Sequence, residues 1–155
     1  MTYRRVAVTS AGLTTSVTAY TSGDSVGTEF VFALTPATTL SSGRGVILGA
    51  SIIDEGNVLA ACDLAIFNAA STPAADNAAN AWSDANIRNF VGVIKFATAD
   101  VNASANNRFA SALLGSPLPF EAPTGSLYGS LITRSANAVF TAVTDVTLSL
   151  FIDFN

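Results

Sequence analysis

The stretch Val46 to Phe67 constrains the fold more than any other, because two apolar runs flank a cluster of turn residues. The first run is Val46 to Ile53 and the second is Val58 to Phe67, with Asp54-Glu55-Gly56-Asn57 between them. In the second run Leu64 and Ile66 alternate with Asp63, Ala65 and Phe67, the period-two pattern of a strand with one face turned to a core. Asp54 and Asn57 can hydrogen-bond their own backbone, and Gly56 tolerates the positive φ that a short loop requires. The spacing predicts a β-hairpin at the centre of the fold. It makes a scaffold legible and no catalytic site.

The rest of the chain repeats this grammar. Residues 1–18 are weakly patterned: Tyr3, Val6 and Val8 suggest a short strand, and the segment reads equally as an N-terminal arm or as an edge strand of a domain spanning residues 19–155. Phe30, Phe32 and Leu34 share one face of a strand after the turn cluster Ala19 to Gly27. Strands are also expected at Asn89 to Ala97, Phe109 to Leu114, Ser126 to Arg134 and Asp145 to Phe154. In the last of these Val146, Leu148, Leu150 and Ile152 face one way and Thr147, Ser149, Phe151 and Asp153 the other. Ser116 to Pro123 carries Pro117, Pro119 and Pro123, which excludes a central strand and fits an edge or an extended connection. One helical turn is expected at Ser83 to Asn89, with Ser83 as N-cap and Asp84 at the positive end of the dipole. The expected fold is therefore all-β, an antiparallel β-sandwich of jelly-roll type with one short helical turn.

Charge and residue inventory exclude several functions. The 155 residues carry a net charge of −4 and only seven Lys and Arg, scattered along the chain, which argues against a nucleic-acid partner. Charged residues make up 12% of the chain, about half the usual share, so its surface suits coverage by neighbours in an assembly. No run reaches the roughly 18 apolar residues of a membrane span, and the N-terminus lacks the continuous apolar segment of a signal peptide, so folding in a cytoplasm is expected. Cys62 lies in an apolar run and reads as a buried free thiol.

With no histidine, the commonest general base, the Ser-His-Asp arrangement and most zinc sites are ruled out. Lys95, the only lysine, reads as a surface residue with an apolar stem on a strand. Gly43-Arg44-Gly45 lacks the further glycines and the lysine of a phosphate-binding loop. Asp54-Glu55 belongs to turn chemistry, and Asp76, Asn77 and Asp84 do not match the spacing of a calcium loop. No enzyme activity, cofactor or metal is expected. The long loop Asn68 to Trp82 is the candidate interface, with Trp82 as a lid over the core or an interface anchor. Arg4, Arg5, Asp76, Trp82 and Asp84 are the candidate interface residues. A carbohydrate- or receptor-binding head-fibre or tail-tip module, using Trp82 and the Asp76 to Asp84 loop, is the alternative.

From Ala19-Tyr20-Thr21-Ser22-Gly23-Asp24-Ser25-Val26-Gly27 onward the chain resembles a family of small structural proteins of tailed bacteriophages, typically encoded close to the major capsid protein. The likeness continues through Asp54, Asp63 to Phe67, Asp76-Asn77-Ala78, Trp82-Ser83-Asp84-Ala85, Gly92-Val93, Leu127 to Arg134 and the closing strand. The resemblance implies a capsid decoration, or cement, protein: a β-sandwich on the outside of the capsid lattice, often a homotrimer, that bridges neighbouring capsomers. Its implied partners are the major capsid protein and copies of itself, and its implied location is the virion capsid surface.

Overall fold

Alternation of apolar and small polar residues sets the architecture, and β9 (Val146–Phe154) shows it most cleanly. Val146, Leu148, Leu150, Ile152 and Phe154 are buried, while the residues between them are half-buried on the opposite face. The computed structural model describes residues 5–9, 13–34, 43–58, 61–98, 101–135, 140 and 145–154. Among them the remaining elements are β1 (Arg5–Thr9), β2 (Ser25–Ala33), β3 (Arg44–Asp54), β4 (Cys62–Phe67), α1 (Asp84–Ile87), β5 (Phe90–Phe96), β6 (Asn102–Ala103), β7 (Arg108–Glu121) and β8 (Ser126–Thr133).

The strands form an antiparallel sandwich. One sheet has the order β1-β9-β3-β7-β6 and the other β2-β8-β4-β5. The chain changes sheet at every connection except β4 to β5 and β6 to β7. Between the sheets lies one core to which both contribute, including Phe30, Phe32, Ile47, Ile52, Leu64, Ile66, Ile94, Phe96, Leu127, Leu131 and Leu148. Close packing fixes glycine at one crossing: a Cβ on Gly129 would run into the ring of buried Phe30 on the neighbouring strand.

The central hairpin does not form. β3 pairs with β7 and β9, whereas β4 pairs with β5 and β8, so the two arms lie in opposite sheets. The turn chemistry is nonetheless present. Asp54, fully buried, accepts from Gly56 N through Oδ1 (2.8 Å) and from Val58 N through Oδ2 (2.7 Å), and Glu55 N donates to Asp145 O (2.8 Å). Asn57, rather than Gly56, takes the positive φ, at 57°. These bonds turn the chain from one sheet towards the other, which two arms facing each other in one ladder would not need.

The proline-bearing stretch is not a separate piece. Residues Phe109 to Leu114 and Ser116 to Glu121 belong to one strand, β7, with a register shift opposite Leu48. β7 pairs with β3 along one side, and with the two-residue β6 only at Arg108 and Phe109. Pro117 and Pro119 thus lie beyond the reach of β6, where β7 has β3 alone as a described neighbour and is tolerant of proline as an edge strand is.

Candidate functional site

The two outer sheet faces are treated differently by the chain. On the β2-β8-β4-β5 sheet, Ala65 and Phe67 of β4 and Ser130 and Ile132 of β8 point away from the core yet are buried. They are covered by a strap, residues 68–83, which leaves β4, reaches the free edge of β2 and returns towards β5. Backbone bonds sew the strap to that edge: Ser25 N to Ala78 O and Asn77 N to Ser25 O, both 2.9 Å, and Asn80 N to Gly23 O, also 2.9 Å. Glu29, on β2, accepts from the backbone N–H and the hydroxyl of Ser71.

Asp76 is one of these fasteners. Its Oδ1 accepts from the hydroxyl of fully buried Tyr20 and from Gly27 N, both at 2.6 Å. Burial and the neighbouring Asp76 carboxylate hold the Tyr20 hydroxyl well above the usual tyrosine range. Trp82 closes the strap. Its ring meets Phe67 edge-on at 5.4 Å and lies tilted against Phe90 at 6.3 Å, and its buried Nε1 has no hydrogen-bond partner. Trp82 and Tyr128 pack together against Ala65, Phe67 and Ile132. Asp84 is exposed in the first turn of α1, behind the Ser83 cap, whose hydroxyl accepts from Asn86 N (3.2 Å). Asp76 and Trp82 therefore serve packing and fastening, and of the loop candidates only Asp84 is free at the surface. Arg5 opens β1 in register with Asp153, and Arg4 lies outside the described residues.

Among the described residues the other outer face has no such cover. Three rows cross β9, β3 and β7: Thr147, Ile53 and Phe109; Ser149, Ser51 and Ser111; Phe151, Gly49 and Leu113. None of the nine is charged. Leu113 is 70% exposed, Phe109 47% and Ile53 45%, the largest apolar exposures among the described side chains of this sheet. Outward positions of an antiparallel sheet are normally polar, so this face departs from the usual alternation. Beyond the rows, at one end of the same face, Arg44 and Glu121 form an exposed ion pair (2.8 Å) beside Val46 and Pro119. They line a shallow concavity of about 300 Å³.

Groups suited to chemistry are committed elsewhere. Asp63 receives both Nε (2.8 Å) and Nη2 (2.7 Å) of Arg134 on one oxygen. The Cys62 thiol is buried, and burial together with the adjacent Asp63 pushes its pKa up to about 12, which keeps it protonated and unreactive. Among the described residues no three Asp, Glu or Cys side chains cluster so as to hold a metal ion, and no helix is long and apolar enough to cross a membrane.

The sequence pointed to the strap and missed the bare face. Its signal was present in the alternation itself: Ile53, Phe109, Leu113 and Phe151 occupy the parity opposite to the core residues of their strands. The fold and its surfaces define an all-β sandwich with one face covered by its own chain and one whose three middle rows carry no charge and expose Ile53, Phe109 and Leu113. Comparisons with family models, with curated proteins and with solved structures returned no match to this chain.

Proposed function

We propose that the chain is a non-enzymatic decoration (cement) protein of a tailed-phage capsid, bound on the outer capsid surface and bridging neighbouring capsomers. The observation that carries this reading is the bare sheet face, which offers apolar side chains without charge to a protein neighbour. A subunit with few charges and exposed apolar side chains on one sheet face suits permanent assembly better than free diffusion. Each bound copy would bury area on more than one capsid subunit, and separating those subunits would require exposing that area again. Such a protein folds in the host cytoplasm and acts on the virion.

The finer fold reading, a jelly roll, belongs to the same proposal. It is supported by the order β1-β9-β3-β7 facing β2-β8-β4-β5, with β6 a two-residue addition. Jelly rolls serve both capsids and lectins, so topology alone does not choose between decoration and glycan binding. The engagement of Trp82 with Phe67 and Phe90 weighs against a sugar platform, because a stacking tryptophan needs a free ring face.

The test is cosedimentation of the purified chain with undecorated capsids, counting copies bound and following capsid melting. Saturation at hundreds of copies with a raised melting temperature is the expected result. Binding at a few sites, or none, overturns the proposal and favours a fibre or tip module.

A further inference from the structure

β7 borders the bare face and leaves one short run of strand edge open. β6 lies along that edge only at Arg108 and Phe109. Further on, Leu114 to Pro117 stand opposite Leu48 alone, and the ladder with β3 is interrupted there. The open run between the two is Ala110 to Leu113. The hairpin that precedes β7 tells which way its backbone groups point. Ser104 N donates to Asn107 O at 2.8 Å, so these two are a hydrogen-bonded pair. Alternation along an antiparallel ladder makes Asn102 and Phe109 the next such pair and turns the backbone of Ala110 and Ala112 towards β3. The N–H and C=O of Ser111 and of Leu113 therefore point away from β3, and among the described residues they have no hydrogen-bond partner.

An open edge is a template for another strand, and folded chains blunt such edges with charge, proline or a cover. Here two other edges are blunted. The strap bonds to β2 at Ser25, and β5 carries exposed Lys95. From Phe109 to Ser116 the β7 edge has neither charge nor proline. We propose that the capsid partner meets the bare face through an extended, uncharged segment of its own chain, added as a strand along Ala110 to Leu113. This rests on the capsid reading above and specifies its mode of contact. The segment's backbone bonds Ser111 and Leu113, and an apolar side chain on its outer side lies against Leu113, the most exposed of the face. A charge at that position would be buried without a partner.

The bounds of the run select a free segment over the edge of a second folded sheet. β6 closes one end, and the interrupted ladder with Pro117 closes the other. A second copy's β7 does not fit antiparallel along it. Setting Ser111 opposite Leu113 of a second copy brings that copy's Gly115 and Ser116 onto the places that Asn102 and Ala103 already hold. Setting Leu113 opposite its counterpart does the same with the second copy's Pro117 and Leu118.

Quenched amide exchange of the unaltered chain, free and bound to undecorated capsids, reads the pairing directly. In the free chain the Ser111 and Leu113 amides should exchange fast beside the slow Ala110 and Ala112 amides, and on capsids both should slow at least about tenfold. Ser111→Pro removes an outward N–H and no bond to β3. It is expected to bind capsids at least about tenfold more weakly than Ser111→Ala, which keeps that N–H, with a urea titration showing that each is folded. Should the proline variant unfold, exchange of the unaltered chain decides. Slow exchange at Ser111 and Leu113 in the free chain overturns the proposal: the edge is then filled by the chain itself or, where the slowing grows with concentration, by a second copy. Equal binding by the two variants overturns it too. Capsids that bind the chain while both amides exchange as in the free chain end this inference alone, and a chain that binds no capsids ends the capsid reading and this inference with it.

Discussion

Replacing Asp76 by alanine should unfasten the strap, and its cost can be worked from two bonds. The Oδ1 atom accepts from Tyr20 Oη and from Gly27 N, each at 2.6 Å. Hydrogen bonds to an ionised acceptor contribute about 1.5 to 3 kcal/mol each. Asp76 is itself half-buried, which places both at the low end, so alanine should cost about 3 kcal/mol. For a chain of this length that lowers Tm by about 6 to 12 °C. Asp76→Asn keeps an acceptor oxygen without the charge and should cost about half as much. Tyr20→Phe removes the donor and also the acceptor of Ser16 N, at 2.6 Å. The two sites share a bond, so the double variant should be less destabilised than the sum by about 1 to 2 kcal/mol. Urea unfolding of the four proteins, with ΔG extrapolated to water, measures the cycle. A coupling below about 0.5 kcal/mol, or an alanine variant no weaker than the asparagine one, would refute the fastening role of Asp76.

Other expectations follow from the same packing. Gly129→Ala drives a methyl group into the Phe30 ring and should cost about 2 kcal/mol or more, seen as a fall in the urea midpoint at unchanged slope. Arg134→Met strips the partner from Asp63; with the arginine side chain half in solvent the loss should be about 1 to 2 kcal/mol, read in the same titration. Tyr20 and Cys62 both hold their protons more tightly when folded. Their contribution is complete below the ordinary values of 10.0 and 9.0 and is lost as pH rises, for Cys62 through about 12. Unfolding free energy should therefore fall above about pH 9, and Cys62→Ala should flatten that fall, as denaturant titrations across the range will show.

Strand positions were legible wherever alternation was strict. The inward residues of β9 and the Phe30, Phe32 and Leu34 face follow from period two alone, and Ser83 announces the helical turn. Pairing was not legible. The Asp54 to Asn57 cluster specifies a turn, but a turn of that length joins two strands of one sheet or arches between two, and distant partners decide. Here β9 and β7 flank β3 while β8 and β5 flank β4, and no local signal in residues 46–67 encodes that choice. Asp76 and Trp82 stood out because they are chemically distinctive in a plain loop. Their partners, Tyr20 and Gly27 for one and Phe67 and Phe90 for the other, lie too far away in sequence or in a strand face that parity alone leaves undefined.

The contrast between the two outer faces carries one step further. A chain that covers Phe67 and Ile132 with its own strap, yet leaves Leu113, Phe109 and Ile53 in solvent, exposes the second set at a cost in solubility that only a partner offsets. If the capsid is that partner, the bare face is where it docks, and the strap side, with Ile87 at the end of α1 and Phe90 at the start of β5, stays outside the contact. Leu113→Glu changes a side chain that is already 70% exposed and should shift stability by less than about 0.5 kcal/mol. It should lower capsid occupancy at least about tenfold, because a carboxylate would be buried without a partner. Ile87→Glu makes the same chemical change on the opposite side and should leave occupancy unchanged. Full occupancy by the Leu113 variant, or its loss with the Ile87 variant, would place the capsid contact away from the bare face.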